Sequence, residues 1–461
     1  MTVTENRYLQ GNFRPVADEI VTTDLEVVGT LPPALTGRYV RTGPNPIDVD
    51  GENYHWFIGD GMVHGVELDG GQANWYRNRW VRSPDVAAAQ GLAEVSRPDL
   101  GGAFPGSGNT NVVHHAGSIW AINELSMPYE LTPELETARQ WDFGGPLPAG
   151  TNAHPKFDPV TGDMHFVAYN FVEPYLWYHV VDAAGHLVRS EPVEMGGPVM
   201  VHDMGLTASQ VVVFDLPVVF NLEKAMTGTR FPYEWDDDYT PRIGLLPRDG
   251  SGADTVWTEI DPCYVFHPLN AFDADDGTVV IDVVKHPSMF RTVKNGPDEG
   301  APVLERWVID AEGGKVTTEL LDDHAQEFPR ADERLAGLRH RYGYATGASL
   351  NDFGGTTDDH TFVLKHDVEA GTTTEHDLGA GRVGGEFVFI PADETAGEDE
   401  GWLMGYVYDR ASDTSDLVVL DAHDFGPEPV AVVKLPQRVP AGFHGNWIPD
   451  TVLGRAGRPM R

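Results

Sequence analysis

The stretch FDPVTGDMHFV, residues 157–167, has the pattern of a tight β-hairpin. A short apolar segment runs into Asp158, Gly162 follows, and a second apolar segment begins almost at once. Tight hairpin turns favour these two residue types, because an aspartate side chain accepts hydrogen bonds from nearby backbone amides and glycine tolerates positive φ. The stretch therefore predicts two adjacent antiparallel strands.

The same pattern of strand, aspartate, glycine and strand recurs along the chain. It also occurs at Asp182, Asp273, Asp310, Asp367 and Asp421. The irregular spacing of these hairpins is unlike a simple short-period repeat. Radial repetition of small antiparallel sheets, a β-propeller, accommodates them best, and a pair of packed sheets is the alternative. No shift in composition divides the chain, so we expect one all-β domain over residues 1–461.

Helical patterns are few in this sequence. Residues 84–95 are rich in alanine after a proline, and residues 131–140 contain Thr132, Pro133 and Glu134 in the order of a helix start. We expect a helix in each of these two segments and strands in most of the remaining chain.

The composition argues against several classes of protein. The net charge is −39, so binding to nucleic acid is not expected, because phosphate contacts need an excess of Lys and Arg. No run approaches the ~20 apolar residues of a membrane helix, and no charged-then-apolar leader opens the chain. Cys263 is the single cysteine, which rules out an intrachain disulfide. These features predict a soluble cytoplasmic protein.

Four of the 18 histidines share a distinctive setting. His154, His202, His267 and His444 each lie beside an apolar strand and next to Pro, Gly or Asp. Their intervals of 48, 65 and 177 residues differ from the close pairs of zinc fingers and zinc peptidases. They suit one ligand from each of several blades, meeting on the axis of a propeller. Imidazole binds Fe, Zn, Cu or Ni, so these residues alone do not identify the metal.

Further motifs extend over nearly the whole chain. They are GRYVRTGPNP (37–46), YHWFIGDGMVHGVEL (54–68), NTNVVHHAGSIWAINELSMPYEL (109–131), AHPKFDPVTGDMHFVAYNF (153–171), VHDMGLT (201–207), FHPLNAFD (266–273), GGEFVFIP (384–391) and LPQRVPAGFHGNW (435–447). In this order they resemble the carotenoid cleavage oxygenase family, which includes carotenoid, apocarotenoid and lignostilbene dioxygenases and the retinal-pigment-epithelium isomerase. The resemblance implies a seven-bladed β-propeller with a cap of helices and loops over one face.

The resemblance also implies a metal centre. One Fe(II) per chain would be held by histidines alone, with dioxygen as the co-substrate and no catalytic residue beyond the iron ligands. The implied ligands are His154, His202, His267 and His444. Three glutamates would accept hydrogen bonds from the other ring nitrogens of these histidines, which fixes each tautomer and ring orientation. They are Glu124, Glu327 and Glu386.

Other histidines are not expected to bind metal. His55 and His64 lie in or near the GDGMVH loop, to which we assign a structural role. His114 and His115 are neighbours in a predicted strand, so their side chains point to opposite faces and cannot easily share one ion.

The implied reaction is oxidative cleavage of an alkene C=C bond into two carbonyl products. The protein must then hold a small apolar alkene and exclude water. The candidate pocket residues are Phe57, Asn123, Tyr169, Phe171, Phe266, Phe443 and Trp447. In the lignostilbene branch a lysine that grips the substrate phenol precedes the first glutamate, and Asn123 occupies that position. This departure favours a carotenoid or apocarotenoid, with cleavage of a stilbene, isoeugenol or vinylphenol as the alternative.

The segment 219–246 corresponds to the apolar patch through which some carotenoid enzymes enter membranes. Its YEWDDDYT run (233–240) carries four acids, which oppose deep insertion. We expect a monomer with at most transient membrane contact. Two other functions stay open: a calcium-dependent propeller hydrolase, which needs a cage of oxygen ligands, and a metal-free binding scaffold.

Overall fold

The computed structural model describes residues 6–48, 51, 54–101, 103–297, 299–310, 314–348 and 361–453. These residues form seven antiparallel sheets, which are the blades of a β-propeller. The innermost strands of several neighbouring blades contact one another, and the blades are numbered by the chain order of their innermost strands. The prediction of an all-β propeller is confirmed, and the alternative of two packed sheets is wrong.

The first four blades follow one another along the chain. Blade 1 comprises Asn111–His115, Ser118–Ile122, Tyr129–Leu131 and Thr137–Gln140. Blade 2 comprises Lys156–Phe157, Met164–Tyr169, Leu176–Val181 and Leu187–Val193. Blade 3 comprises Gly205–Leu206, Gln210–Asp215, Arg242–Pro247 and Val256–Glu259. Blade 4 comprises Tyr264–Asp273, Val279–His286, Val303–Ile309 and Val316–Asp322.

The last two blades recruit strands from the beginning of the chain. Blade 5 comprises Gln326–Arg330, Tyr342–Ala348, Thr361–Asp367 and Thr372–Asp377. Blade 6 comprises Arg382–Gly384, Val388–Pro391, Gly401–Asp409, Thr414–Asp421, Ala431–Lys434 and Val27–Gly29. Blade 7 comprises Gly445–Pro449, Gly37–Pro44, Gly61–Asp69, Gln72–Trp80 and Val21–Thr22.

Blade 7 closes the ring. Its innermost strand comes from the end of the chain and pairs with a strand from the beginning, with Arg41 opposite Gly445 and Gly37 opposite Pro449. Arg38 also forms an ion pair with Asp450, 412 residues away. Backbone hydrogen bonds between distant segments therefore hold the propeller shut.

The six predicted hairpins all join neighbouring antiparallel strands, in blades 2, 4, 5 and 6. In the first of them, the Asp158 carboxylate accepts hydrogen bonds from the backbone amides of Val160 and Thr161, at 2.7 and 3.2 Å. Gly162 follows with a φ of +76°. The folded hairpin therefore contains the aspartate hydrogen bonds and the positive-φ glycine that the sequence predicts.

One of the two predicted helices is present. Pro84–Gln90 is helical, begins at the Ser83 cap and ends at Gly91 in the left-handed conformation. The helix predicted over 131–140 is wrong, because this segment is a hairpin of blade 1. Thr132 Oγ1 accepts hydrogen bonds from two amides of the turn, and the turn places Leu135 in the core. Burial of apolar side chains between blades thus overrides a local helix-start pattern.

A few elements lie outside the blades. A two-stranded ribbon, Val218–Phe220 with Tyr233–Trp235, flanks the short helix Leu222–Met226. The 3-10 turns are Arg7–Leu9, Gly11–Phe13, Trp56–Ile58, Gly252–Asp254, Glu333–Leu335 and Asp450–Leu453. Among the described residues, no helix has the length and apolar character needed to cross a membrane.

Candidate metal centre

The four predicted histidines come from four blades. His154, His202 and His444 lie just before the innermost strands of blades 2, 3 and 7. His267 lies within the innermost strand of blade 4, at a shift of register with the next strand. The ends of these innermost strands meet at the centre of the propeller, so residues far apart in sequence become neighbours.

The ligand atoms of these histidines converge on one point. The Nε2 atoms of His154 and His202 are 3.0 Å apart, and those of His202 and His267 are 3.2 Å apart. One ring nitrogen from each of the four, including His444, lies within 4.8 Å of the others, and all four side chains are buried. The structure thus brings together all four histidines singled out in the sequence.

Each of three ring Nδ1 atoms faces a carboxylate. His267 Nδ1 lies 2.6 Å from Glu327. His444 Nδ1 lies 2.9 Å from Glu386, whose other oxygen accepts the Gly445 amide at 2.8 Å.

The third pair is His202 with Glu124. His202 Nδ1 lies 2.6 Å from Glu124, although this approach is bent away from the N–H direction of the ring. All three glutamates predicted from the sequence therefore adjoin a histidine of the cluster.

These residues fit a bound transition-metal ion. A carboxylate only accepts hydrogen bonds, so the Nδ1 atoms of His267 and His444 carry the protons and their Nε2 atoms carry lone pairs. Lone pairs that face one another about 3 Å apart repel, and a cation between them converts this repulsion into four metal–nitrogen bonds. Carboxylates hydrogen-bonded to metal-bound imidazoles are the usual outer partners of such a site.

The protonation state of the cluster favours metal binding. Burial lowers the pKa of His267 to about 4, although the neighbouring Glu327 carboxylate opposes this shift. Burial and the other three histidines lower the pKa of His154 well below its ordinary value. Both rings are therefore neutral near pH 7 and present a free lone pair.

His154 differs from the other three in having no glutamate partner. Its Nδ1 lies 3.7 Å from the nearest oxygen of Asp203, which is too long for a hydrogen bond. That carboxylate instead binds Lys156 at 2.9 Å. A carboxylate therefore lies beside Nδ1 in three of the four rings, whereas the backbone amide of His154 donates to Asn152 Oδ1 at 2.5 Å.

Irregular backbone places the three glutamates. Leu125 and Phe328, which follow Glu124 and Glu327, adopt positive φ of 60° and 56°. Glu386 lies in the break between the two short inner strands of blade 6. Non-glycine residues with positive φ are uncommon and often accompany functional sites. Leu125 and Phe328 are neither glycine nor asparagine, so the sequence does not indicate their positive φ.

His286 is a neighbour of the cluster that the sequence pattern did not indicate. It ends the second strand of blade 4, and its Nε2 lies 2.7 Å from the Glu327 oxygen that does not face His267. The amide of Phe328 donates to the other oxygen of Glu327 at 2.5 Å. The hydrogen bonds and charges of His267 and His286 outweigh burial, which alone would raise the pKa of Glu327, and the net pKa lies well below its ordinary value.

The remaining histidines under discussion lie away from the cluster. His55 stacks on Phe231, with ring centroids 3.9 Å apart, and His64 Nδ1 contacts the hydroxyl of Tyr76 at 2.9 Å. His115 Nε2 contacts a backbone carbonyl at 2.7 Å. His114 is its neighbour in the same strand.

A cavity of about 620 Å³ borders the cluster. Three of the four histidines, all except His154, lie on its wall. The other predicted lining residues that it contains are Phe57, Asn123, Tyr169, Phe171, Phe266 and Phe443. Its aromatic side chains contact one another edge to face, as Phe57 does with Phe266 at 5.9 Å and with Phe443 at 5.5 Å. The cavity offers an apolar alkene a site beside the histidines.

Trp447 is placed elsewhere. It lines a second cavity of about 530 Å³, together with His154, Lys156 and Arg330. His154, His267 and His444 border this second cavity as well, so the histidine cluster lies between the two cavities.

Asn123 lines the first cavity, yet its side chain is occupied. Its Oδ1 accepts hydrogen bonds from the amides of Ser107 and Gly108 at 3.1 and 2.8 Å, and from the Ser126 hydroxyl at 2.9 Å. Its Nδ2 donates to the backbone carbonyl of Glu124 at 3.0 Å. Asn123 therefore braces the loop that carries Glu124.

The fold and the site together define a class of protein, a seven-bladed propeller whose blades deliver four histidines to one buried centre. A family model described as retinal pigment epithelial membrane protein matches residues 13–449. A carotenoid cleavage oxygenase of Mycobacterium tuberculosis is 41% identical, covering 97% of this chain and 98% of the relative. The chain belongs to this family, the carotenoid cleavage oxygenases.

More distant relatives also match this chain over most of its length. The carotenoid 9,10(9′,10′)-cleavage dioxygenase 1 of Arabidopsis thaliana is 33% identical, covering 97% of this chain and 90% of that protein. The crystal structure of a Pseudomonas brassicacearum lignostilbene dioxygenase superimposes with a TM-score of 0.86 at 26% identity, covering 96% and 98% of the two chains. A cobalt-substituted Synechocystis ACO gives 0.82 at 25% identity, covering 94% and 97%.

Proposed function

We propose that the protein is an Fe(II)- and dioxygen-dependent enzyme that cleaves a C=C bond of a carotenoid or apocarotenoid into two carbonyl products. The observation that carries this proposal is the convergence of four buried imidazoles on the wall of an aromatic cavity. The names of the relatives that are 41% and 33% identical support the carotenoid class of substrate.

The chain's own residues have a limited task in this reaction. Bound Fe(II) would supply the activation of dioxygen toward the alkene. Both oxygen atoms end in the two carbonyl groups and the alkene neither gains nor loses a proton, so no general acid or base is required. The aromatic wall would hold the alkene and exclude water. The three glutamates would keep the imidazole rings in the ligating orientation and tautomer.

The proposal is tested by metal content and product formation together. We expect about one iron per purified chain, and His267→Ala to lose both iron and alkene cleavage, because it removes one of the four converging nitrogens. The matched control is His186→Ala, because the side chain of His186 is exposed and lies outside the cluster. Full iron occupancy in the His267 variant would contradict the ligand assignment.

Cleavage of a stilbene or phenylpropene phenol is the second candidate, because the lignostilbene dioxygenase shares the fold with a TM-score of 0.86. The hydrogen bonds of Asn123 weigh against it, since three donors fill its Oδ1 and one of its two N–H groups is already used, so it lacks the charged, mobile donor that a lysine would offer a phenol. Competition between an apocarotenal and resveratrol or isoeugenol, with the aldehyde products quantified by mass spectrometry, separates the two. A strong preference for the phenol would establish the second candidate.

A further inference from the structure

The carboxylate of Glu327 lies between two histidines of blade 4. His267 belongs to the innermost strand of that blade and His286 ends the strand beside it, whereas Glu327 comes from blade 5. One oxygen of the carboxylate lies 2.6 Å from His267 Nδ1, and the other lies 2.7 Å from His286 Nε2. The carboxylate is therefore bound on one side by a histidine of the cluster and on the other by a histidine outside it.

His286 is a hydrogen-bond donor in this arrangement. A carboxylate only accepts hydrogen bonds, so Nε2 of His286 carries a proton. The Nδ1 atom of the same ring is buried and has no partner among the described residues. The residue is only 3% exposed, and Phe266 packs edge-on against its ring with the centroids 5.3 Å apart. The ring is thus fixed by packing, and its polar contact is directed to Glu327.

Glu327 needs this second donor because its side chain is buried. The oxygen that faces His267 also accepts the amide of Phe328 at 2.5 Å, whereas the other oxygen depends on His286. A buried acceptor that loses its partner is costly. Without the donor of His286, the carboxylate would therefore gain by rotating towards another donor, and its hydrogen bond to His267 would weaken.

Glu386 is held in a comparable way on the other side of the cluster. Its carboxylate faces His444 Nδ1 at 2.9 Å and also lies 3.3 Å from the guanidinium of Arg330. Two of the three glutamates thus contact one histidine of the cluster and one further donor that is not part of it. For Glu327 this outer donor is the imidazole of His286.

We propose that His286 is a positioning residue of the metal centre, which holds the Glu327 carboxylate in the conformation that orients His267. His286 would act through Glu327 and would not itself bind the metal. The inference rests on the proposed function for the presence of a metal ion among the four histidines. It adds an outer residue on which the affinity for that ion depends.

Equilibrium binding of cobalt(II) to the metal-depleted, full-length protein tests this role without turnover. Competition with a chelator gives Kd, and the visible absorption of bound cobalt(II) reports the arrangement of its ligands. His286→Leu keeps an apolar side chain of similar bulk but removes the donor. We expect it to raise Kd about 10-fold, the lower end of the range for outer partners of a metal site, and to change the absorption spectrum.

Two polar substitutions at the same position separate the donor from the bulk of the ring. In His286→Gln the amide nitrogen can reach the place of Nε2, so Kd and the spectrum should stay close to those of the wild-type protein. In His286→Asn the shorter side chain places its amide nitrogen near the position of Nδ1, so this variant should behave like His286→Leu. Should His286→Leu fail to fold, the comparison of these two variants carries the test.

A double-mutant cycle shows whether His286 acts through Glu327. In Glu327→Gln the carboxylate is already absent, so adding His286→Leu should cost little further affinity, and the two losses should not add. His376→Leu is the matched control, because His376 is also 3% exposed and its Nδ1 contacts the carbonyl of Gly426 at 2.8 Å, on the outermost strand of blade 5. It should leave the affinity for cobalt(II) unchanged.

Several results would overturn the inference. They are an unchanged affinity in His286→Leu, equal affinities in His286→Gln and His286→Asn, the same loss with and without the Glu327 carboxylate, and the same loss in His376→Leu. Absence of cobalt(II) binding by the wild-type protein would refute the metal centre and this inference together. Cobalt(II) binding that follows the expectations, without alkene cleavage by the iron-loaded wild-type protein, would count against the proposed function alone.

Discussion

His444 acquires its role from its immediate neighbours. Its Nδ1 faces one oxygen of Glu386, and the amide of Gly445 donates to the other. A Cβ atom on residue 445 would lie 2.8 Å from the carbonyl oxygen of Val40 and from the hydroxyl of Tyr39, so only glycine fits there. His444, Glu386 and Gly445 therefore form one set of interacting residues, in which the glycine allows the neighbouring strands to approach closely.

Glu124 faces a histidine of the cluster, as Glu386 does, and this leads to a prediction. Glu124→Gln keeps the size of the side chain but removes its charge, so His202 loses the carboxylate that faces its Nδ1. We expect a loss of about 10- to 100-fold in iron affinity or cleavage activity, measured by competition with a chelator and by product formation. Glu136→Gln is the control, because the Glu136 side chain is exposed and its ion pair with Arg79 lies outside the histidine cluster. An unchanged iron affinity would mean that Glu124 is only structural.

Individual elements are stabilised by turn chemistry and by contacts between blades. The hairpin of blade 2 combines both, because Asp158 binds two amides of its own turn and forms an ion pair with Arg248, which follows the third strand of blade 3. Arg248 also donates to the backbone carbonyl of Thr207 at 3.0 Å. Asp158 therefore stabilises its own turn and also links blade 2 to blade 3.

The stabilising effect of Asp158 should depend on pH. Burial would raise the pKa of this carboxyl, but the hydrogen bonds from Arg248, Val160 and Thr161 outweigh burial and lower it. A depressed folded pKa stabilises the protein above the unfolded pKa, about 3.9, and this contribution disappears as the pH falls through the folded value.

We therefore expect Asp158→Asn to lower the free energy of unfolding by about 1–3 kcal/mol near pH 7, and the difference from wild type to shrink below about pH 4. Urea denaturation across this range measures it. The exposed Asp424→Asn is the control. A difference that stays constant down to pH 3 would show that the charge of Asp158 does not matter.

The propeller as a whole depends on its closure. Gly37 pairs with Pro449 in blade 7, and a Cβ atom at residue 37 would lie 2.4 Å from the carbonyl oxygen of Ile448. The closing strand follows directly after His444. Closure of the ring and the position of His444 in the cluster are therefore linked through adjacent residues.

Gly37→Ala should accordingly weaken both the closure of the ring and the binding of metal. We expect a loss of about 1–3 kcal/mol in stability, because the backbones must move apart, and a lower iron content per chain. Thermal unfolding and elemental analysis are the measurements. Gly426→Ala is the control, since its nearest neighbour would lie 3.8 Å away. Lower stability with full iron content would show that closure and metal binding are separable.

The net charge of −39 acts on the whole molecule as self-repulsion. Added salt screens this repulsion, so we expect the unfolding temperature to rise as NaCl is increased from about 0.05 to 0.5 M. KCl should have the same effect if screening is the cause. A falling unfolding temperature would mean that surface ion pairs, such as Arg341 with Asp367, contribute more than the repulsion costs.

The sequence by itself determined the features that depend on short-range chemistry. Turn residues such as Asp158 and Gly162 specify hairpins locally, so the all-β class could be predicted. Ordered motifs around His154, His202, His267 and His444 indicated both the propeller and the four histidines that converge at its centre. These residues stand in stretches whose local pattern is unusual enough to be recognised without coordinates.

Only the tertiary structure decided what depends on packing between blades. The helix predicted at 131–140 is absent because burial of Leu135 outweighs a local cap, and Trp447 lines the second cavity rather than the aromatic one. His286 was missed because its partner Glu327 lies on another strand. Distances between residues on different blades are set by how the sheets pack around the axis, and no local pattern in the chain encodes them.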